Sequence, residues 1–189
     1  MSKFSLFKAA IFNIGVLAAS WGAAGAQPFT LTSDSFKDGG MLQTKNAGNI
    51  KTNPNCIGEN VSPELKWSNA PAHVKSFVLV ATDWEGQGGL GSHHLVTYGI
   101  APTVTGFAEG ELSKASDKFV GGKETAGTAM YRGPCPPVGS GLHHYLFNVI
   151  VTDLEPGALP PGLTRDELFE KLKGHAKGVA GIVGLFGRN

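Results

Sequence analysis

The chain has 189 residues, 41% hydrophobic and 16% charged, with 16 basic and 15 acidic side chains and a formal net charge of +1. That apolar content suffices for the core of one ordinary domain and argues against a disordered chain. No basic run could neutralise several phosphates, which argues against nucleic acid as a partner.

The first 26 residues stand apart. Lys3 and Lys8 flank the start of the chain without any acid, the apolar run AAIFNIGVLAA follows, and AAGA before Gln27 offers a cleavage point after Ala26. This is the pattern of a signal peptide over residues 1–26. A retained membrane anchor is the weaker alternative, because the run is short and interrupted by Asn13 and Gly15. Cleavage would leave 14 basic and 15 acidic side chains in residues 27–189, a charge near −1. The expectation is a single exported domain, periplasmic or secreted, with no membrane span.

Along that domain, FTLTSDSF (29–36) alternates polar and apolar residues, the mark of a half-buried strand. SFVLVATD (76–83) and HLVTYGI (94–100) are rich in β-branched and aromatic residues. YLFNVIVTD (145–153) is a long apolar strand suited to a sheet centre, and IVGLFG (182–187) is one more. With 27 glycines and 11 prolines as punctuation, the chain reads as mostly β, a sandwich without internal repeats. One helix is expected within LTRDELFEKLKGHAKGVAG (163–181). Thr164 and Glu167 form a capping box, Leu168, Leu172, Ala176 and Val179 have helical spacing, and Gly181 follows as a stop. His175, among lysines, reads as a solvated surface histidine.

Cys56 in NPNCIGEN and Cys135 in GPCPP lie in rigid loops. An even cysteine count in an exported chain suggests one disulfide closing a long loop, contributing about 4 kcal/mol on the chain-entropy model. Two independent buried thiols are the alternative.

Four of the six histidines form the doublets His93-His94 and His143-His144, each opening a strand. Adjacent strand residues face opposite ways, so one member of each pair serves a given site. His143 and Tyr145 share a face, and His144 points away. Asp83 ends its strand where a carboxylate must be paired or exposed. If that strand neighbours those opening at His94 and His143, one acid, two imidazoles and a phenol converge. The carboxylate would orient an imidazole and favour its protonated form, leaving N–H and O–H donors for an anion. The loop GPCPP, with Pro134, Pro136 and Pro137, would supply a preformed rim, while Gly139 and Gly141 turn the chain into the strand.

Two rivals use the same residues. Two histidines and an aspartate can hold Zn²⁺ or Fe²⁺, but neither H-x-H nor H-x₃-H spacing occurs. A hydrolase using Asp83, His94 and His143 lacks a nucleophile motif: G-x-S-x-G is absent and GSG at 139–141 has no elbow context.

The blocks GENVSPELKWSNAP, SFVLVATD, HHLVTYGI and YRGPCPPVGSGLHHYLFNVIVTDL, in this order and spacing, resemble the phosphatidylethanolamine-binding protein family, in particular its bacterial Raf-kinase-inhibitor-like branch. The likeness spans residues 29 to 187. It implies a Greek-key β-sandwich with a pocket for phosphate, phosphorylated head groups or carboxylates, formed here by Asp83, His94, Pro136, His143 and Tyr145. It implies a Cys56–Cys135 bridge as well, and a binding protein rather than an enzyme, with no cofactor or metal. A protein that inhibits a hydrolase or modulates another partner through surface loops is the further alternative. The chain departs from the family's D-P-D-A-P segment, reading DWEGQGG from Asp83, with Glu85 in the place of the second acid. Trp84 and the glycines could therefore cover the pocket, enlarge it, or pack locally.

Overall fold

The computed structural model describes residues 27–188. Nine strands occur in chain order: β1 (Thr30–Thr32), β2 (Gly40–Met41), β3 (Leu65–Ser68), β4 (Ser76–Asp83), β5 (Ser92–Ile100), β6 (Gly106–Phe107), β7 (Val120–Gly121), β8 (Gly141–Thr152) and β9 (Ala176–Arg188). They form two sheets, a small one ordered β1-β3-β6 and a large one ordered β2-β9-β8-β4-β5-β7. Pairing is antiparallel except where the two residues of β2 run parallel to β9.

Alternation along β4 explains why the large sheet is buried on both faces. Phe77, Leu79 and Ala81 point into the core between the sheets with Phe147 and Val149 of β8, Leu65 and Trp67 of β3, and Phe107. Val78 and Val80 point the other way, where Val96, Tyr98 and Ile150 meet Leu163, Leu168 and Leu172. The helix Arg165–Leu172 thus covers the outer face of the sheet.

This helix begins as its sequence demands: Glu167 N–H donates to Thr164 Oγ1, and Thr164 N–H donates to Glu167 Oε2 at 2.9 Å. It ends sooner than the pattern suggests. Gly174 takes φ +80°, His175 lies in the turn, and residues from Ala176 onward are strand. The helical spacing of Ala176 and Val179 loses to an antiparallel ladder with β8 that runs from Thr152↔Ala176 to Gly141↔Arg188. His175 is on the surface as expected, with its Nδ1 2.6 Å from Asp153 Oδ1.

The first strand is also shorter than its alternation. Beyond Thr32, Ser33 Oγ donates to Glu64 O and Asp34 N–H donates to Glu64 Oε2, so side-chain bonds replace the ladder.

Cys56 and Cys135 form a disulfide across 79 residues. The two loops it joins approach so closely that a Cβ on Gly133 would lie 2.2 Å from Asn46 O. The expected signal peptide, residues 1–26, lies outside the described residues. Among the described residues, no helix is long and apolar enough to cross a membrane.

Candidate functional site

The strand order β8-β4-β5 places Asp83, at the end of β4, between the two strands that begin with histidine doublets. Asp83 pairs with Tyr145 of β8 on one side and Ser92 of β5 on the other. A cavity of about 520 Å³ opens here, and Asp83, His94, Pro136, His143 and Tyr145 all line it. Every site residue expected from sequence is brought together.

Asp83 is buried and both its oxygens are taken. Oδ2 accepts from His143 Nδ1 at 2.7 Å, while Oδ1 accepts the N–H groups of Glu85 and Gly86 at 2.9 and 3.1 Å. It therefore positions the site: one oxygen orients an imidazole, the other anchors the start of the Trp84 loop. His143 Nε2 lies 3.1 Å from Ser140 Oγ, and Ser140 Oγ–H donates to Pro137 O at 2.8 Å. That hydroxyl has one proton, which the carbonyl uses.

The rings of His143 and Tyr145 stack with centroids 6.4 Å apart, on one face as parity requires. His144 points outward, where its Nδ1 meets Glu85 Oε1 at 2.6 Å and its N–H donates to Glu85 Oε2. Burial works against the ionised Glu85 carboxyl, but these bonds with His144 prevail and hold it at about 2. Burial, followed by the charge of Asp83, pushes the Tyr145 hydroxyl far above its ordinary value, so it remains a neutral donor.

His94 differs from expectation. Its Nδ1–H donates to Arg132 O at 2.7 Å. Burial lowers its pKa, and neither that bond nor the charge of Asp83 compensates. A neutral ring with the proton on Nδ1 presents Nε2 as an acceptor, which suits the P–OH of a monoprotonated phosphate or a ligand hydroxyl and adds no charge for an anion. The carboxylate thus does not keep this imidazole charged.

Parity allows only one of His93 and His94 at the site, yet His93 lines the cavity as well. A register shift between Ala81↔Leu95 and Thr82↔His93 leaves His94 as an extra residue, a bulge that re-aims both side chains. His93 Nδ1 meets Thr82 Oγ1 at 3.2 Å, and its ring stands edge-on to Trp84.

The loop of residues 133–140 forms the rim. Pro136 is buried, whereas Gly139 and Gly141 take φ +77° and +85° at the turn into β8. Asn60 braces the start of the loop, donating from Nδ2 to Tyr131 O and accepting Gly133 N–H at Oδ1. Trp84 neither covers nor enlarges the pocket. It turns outward and half-exposed under the guanidinium of Arg165, which also lies 3.9 Å over Phe169.

Sequence reasoning passed over Glu124, Arg132 and Ser140, which line the cavity. Only Arg132 carried a signal: it is the one Lys or Arg between Lys123 and Arg165. Among the described residues, no group of three His, Cys, Asp or Glu side chains is arranged to hold a metal ion.

The chain is a two-sheet β-sandwich with a cavity lined by His and Tyr at the end of its central strands. Residues 32–187 match the phosphatidylethanolamine-binding protein family model. A UPF0098 protein of Methanothermobacter thermautotrophicus is 36% identical over 147 residues, covering 75% of this chain and 92% of its own. A Mycobacterium tuberculosis protein named "Putative lipoprotein LppC" is 35% identical over 164 residues, covering 87% and 75%. The crystal structure of Escherichia coli YbcL, described as a member of the mammalian PEBP family, superposes with a TM-score of 0.77 at 28% identity, over 85% of this chain and 99% of that one. The chain belongs to the phosphatidylethanolamine-binding protein family.

Proposed function

We propose that this is an exported binding protein that holds a small anionic or phosphorylated ligand between His94, His143 and Tyr145, beside Pro136, without turning it over. The observation that carries the reading is the convergence of His94, the Asp83-held ring of His143 and a neutral Tyr145 hydroxyl on one cavity of about 520 Å³. That size lies in the range of small-ligand sites. Export is supported by the lipoprotein name of one relative and by the disulfide, which persists in oxidising compartments.

A hydrolase reading has one observation in its favour. Ser140 Oγ, His143 and Asp83 have the connectivity of a nucleophile, base and orienting acid, at 3.1 and 2.7 Å. The hydroxyl's own bond weighs against it, because Ser140 Oγ–H donates to Pro137 O at 2.8 Å rather than to the imidazole.

The test is an NMR titration of the His94 and His143 imidazole signals in the oxidised protein with phosphoethanolamine. Saturable shifts in both, abolished by His143→Ala, are expected. Silent imidazoles would overturn the pocket reading and move the search to a surface that binds a protein partner.

A further inference from the structure

We infer that the pocket has a second anionic station at Arg132, so that its preferred ligand carries a phosphate and a carboxylate on one short chain. This rests on the anion-pocket reading above and adds a requirement that His94, His143 and Tyr145 do not impose.

Backbone pairing roots the two stations on different segments, from which the side chains project into one cavity. Adjacent strands lie about 4.8 Å apart, so β8 and β5 are about 10 Å apart across β4. Arg132 lies farther out, because its N–H donates to His94 O on the side of β5 away from β4. The loop of residues 133–140 then crosses from Arg132 back to Ser140 and β8. The cavity beneath it extends from His143 to Arg132 and is far larger than one phosphate ion requires.

The guanidinium is placed to act there. Its side chain is 29% exposed and lines the cavity, and no hydrogen bond from it is formed among the described residues. Among the described residues its ion-pair partner is Glu124, at 3.6 Å, beyond hydrogen-bond distance. Glu124 is itself fully enclosed and engaged: it accepts the N–H groups of Ala126 and Thr128 and the hydroxyl of Thr128. It holds the guanidinium in place electrostatically while leaving the planar donor fork open. Such a fork matches a carboxylate with two parallel bonds.

The other acids of the cavity do not compete for it. Asp83 is bonded to His143 and the Trp84 loop, and Glu85 is bonded to His144. Arg132 is therefore the lining cation with donors to offer at one end, while the Tyr145 hydroxyl and the rings of His94 and His143 line the other.

Two probes of equal chain length separate the stations: glycerol 3-phosphate and 3-phosphoglycerate, which replaces the hydroxymethyl group with a carboxylate. In calorimetric titrations of the oxidised protein at pH 7 and low salt, 3-phosphoglycerate is expected to bind about tenfold more tightly. Arg132→Gln should abolish that preference while leaving the affinity for glycerol 3-phosphate within about twofold. Where the Arg132→Gln variant does not fold, Arg132→Lys keeps the charge and should lose at least half the preference. Equal binding of the two probes, or a preference undiminished in these Arg132 variants, overturns the second station and leaves the first standing. If neither probe binds the wild-type protein, both fall together.

Discussion

His143 Nδ1 donates to Asp83 Oδ2 across 2.7 Å, with both side chains nearly sealed from solvent. This pair joins the ends of β8 and β4, and through Asp83 Oδ1 it also anchors the loop that follows β4. One buried carboxylate thus sets the orientation of the imidazole and the position of the pocket wall.

Asp83→Ala should destabilise the protein by about 3 kcal/mol, since it leaves a buried imidazole and two amide N–H groups without their acceptor. Phosphoethanolamine affinity should fall with it. Urea unfolding and the imidazole titration read the two effects, and an unchanged unfolding midpoint would show that the pair contributes nothing.

The oxidised protein should show no free thiol after denaturation. Reducing the Cys56–Cys135 bridge, which closes 79 residues, should cost about 4 kcal/mol and free the rim of residues 133–140 from the loop holding Cys56. Thiol titration and paired urea curves check this, and two titratable thiols in the untreated protein would contradict it.

His94 predicts a direction for pH. Burial holds its pKa below the ordinary value of about 6.5, so in acid the folded chain binds fewer protons than the unfolded chain. Its contribution to stability is full above about pH 6.5 and declines as the pH falls through the depressed value. Urea curves at pH 7.5 and 5 should differ more for the wild type than for His94→Gln, whose side chain does not titrate. Equal differences would remove the claim.

Trp84→Ala should leave phosphoethanolamine affinity within about twofold, because its ring packs under Arg165 outside the cavity and contributes only a cation–π contact of about 1 kcal/mol. A tenfold loss would place the indole at the ligand.

Ser140 offers the sharpest test against catalysis. Its hydroxyl proton is directed to Pro137 O, so a fluorophosphonate probe should not label it. Stoichiometric labelling would establish the hydrolase reading.

Much of the site was legible because it depends on local order. The β4 segment Ser76–Asp83 is a run of eight buried residues with no turn-forming residue inside it, and its alternation assigns Phe77, Leu79 and Ala81 to one face. Parity alone separates His143 and Tyr145 from His144, and the structure keeps that division. The same rule failed at His93, where a bulge inserts one residue into the ladder with β4. Nothing in a strand's own pattern announces which partner residue it will skip.

The sequence by itself determined the central strands β4, β5 and β8 and the last part of β9, the start of the helix at Thr164, and the residue types that could meet at the ends of β4, β5 and β8. These follow from nearest-neighbour sterics, hydrogen bonding within a few residues, and period-two alternation. Tertiary structure alone decided that the helix stops at Leu172, because twelve partners on β8 claim Ala176–Arg188. It also decided that burial lowers the pKa of His94, that Trp84 faces outward, and that Arg132 borders the pocket. Each depends on which distant segment lies alongside, and burial, charge and packing arise only once those segments have met.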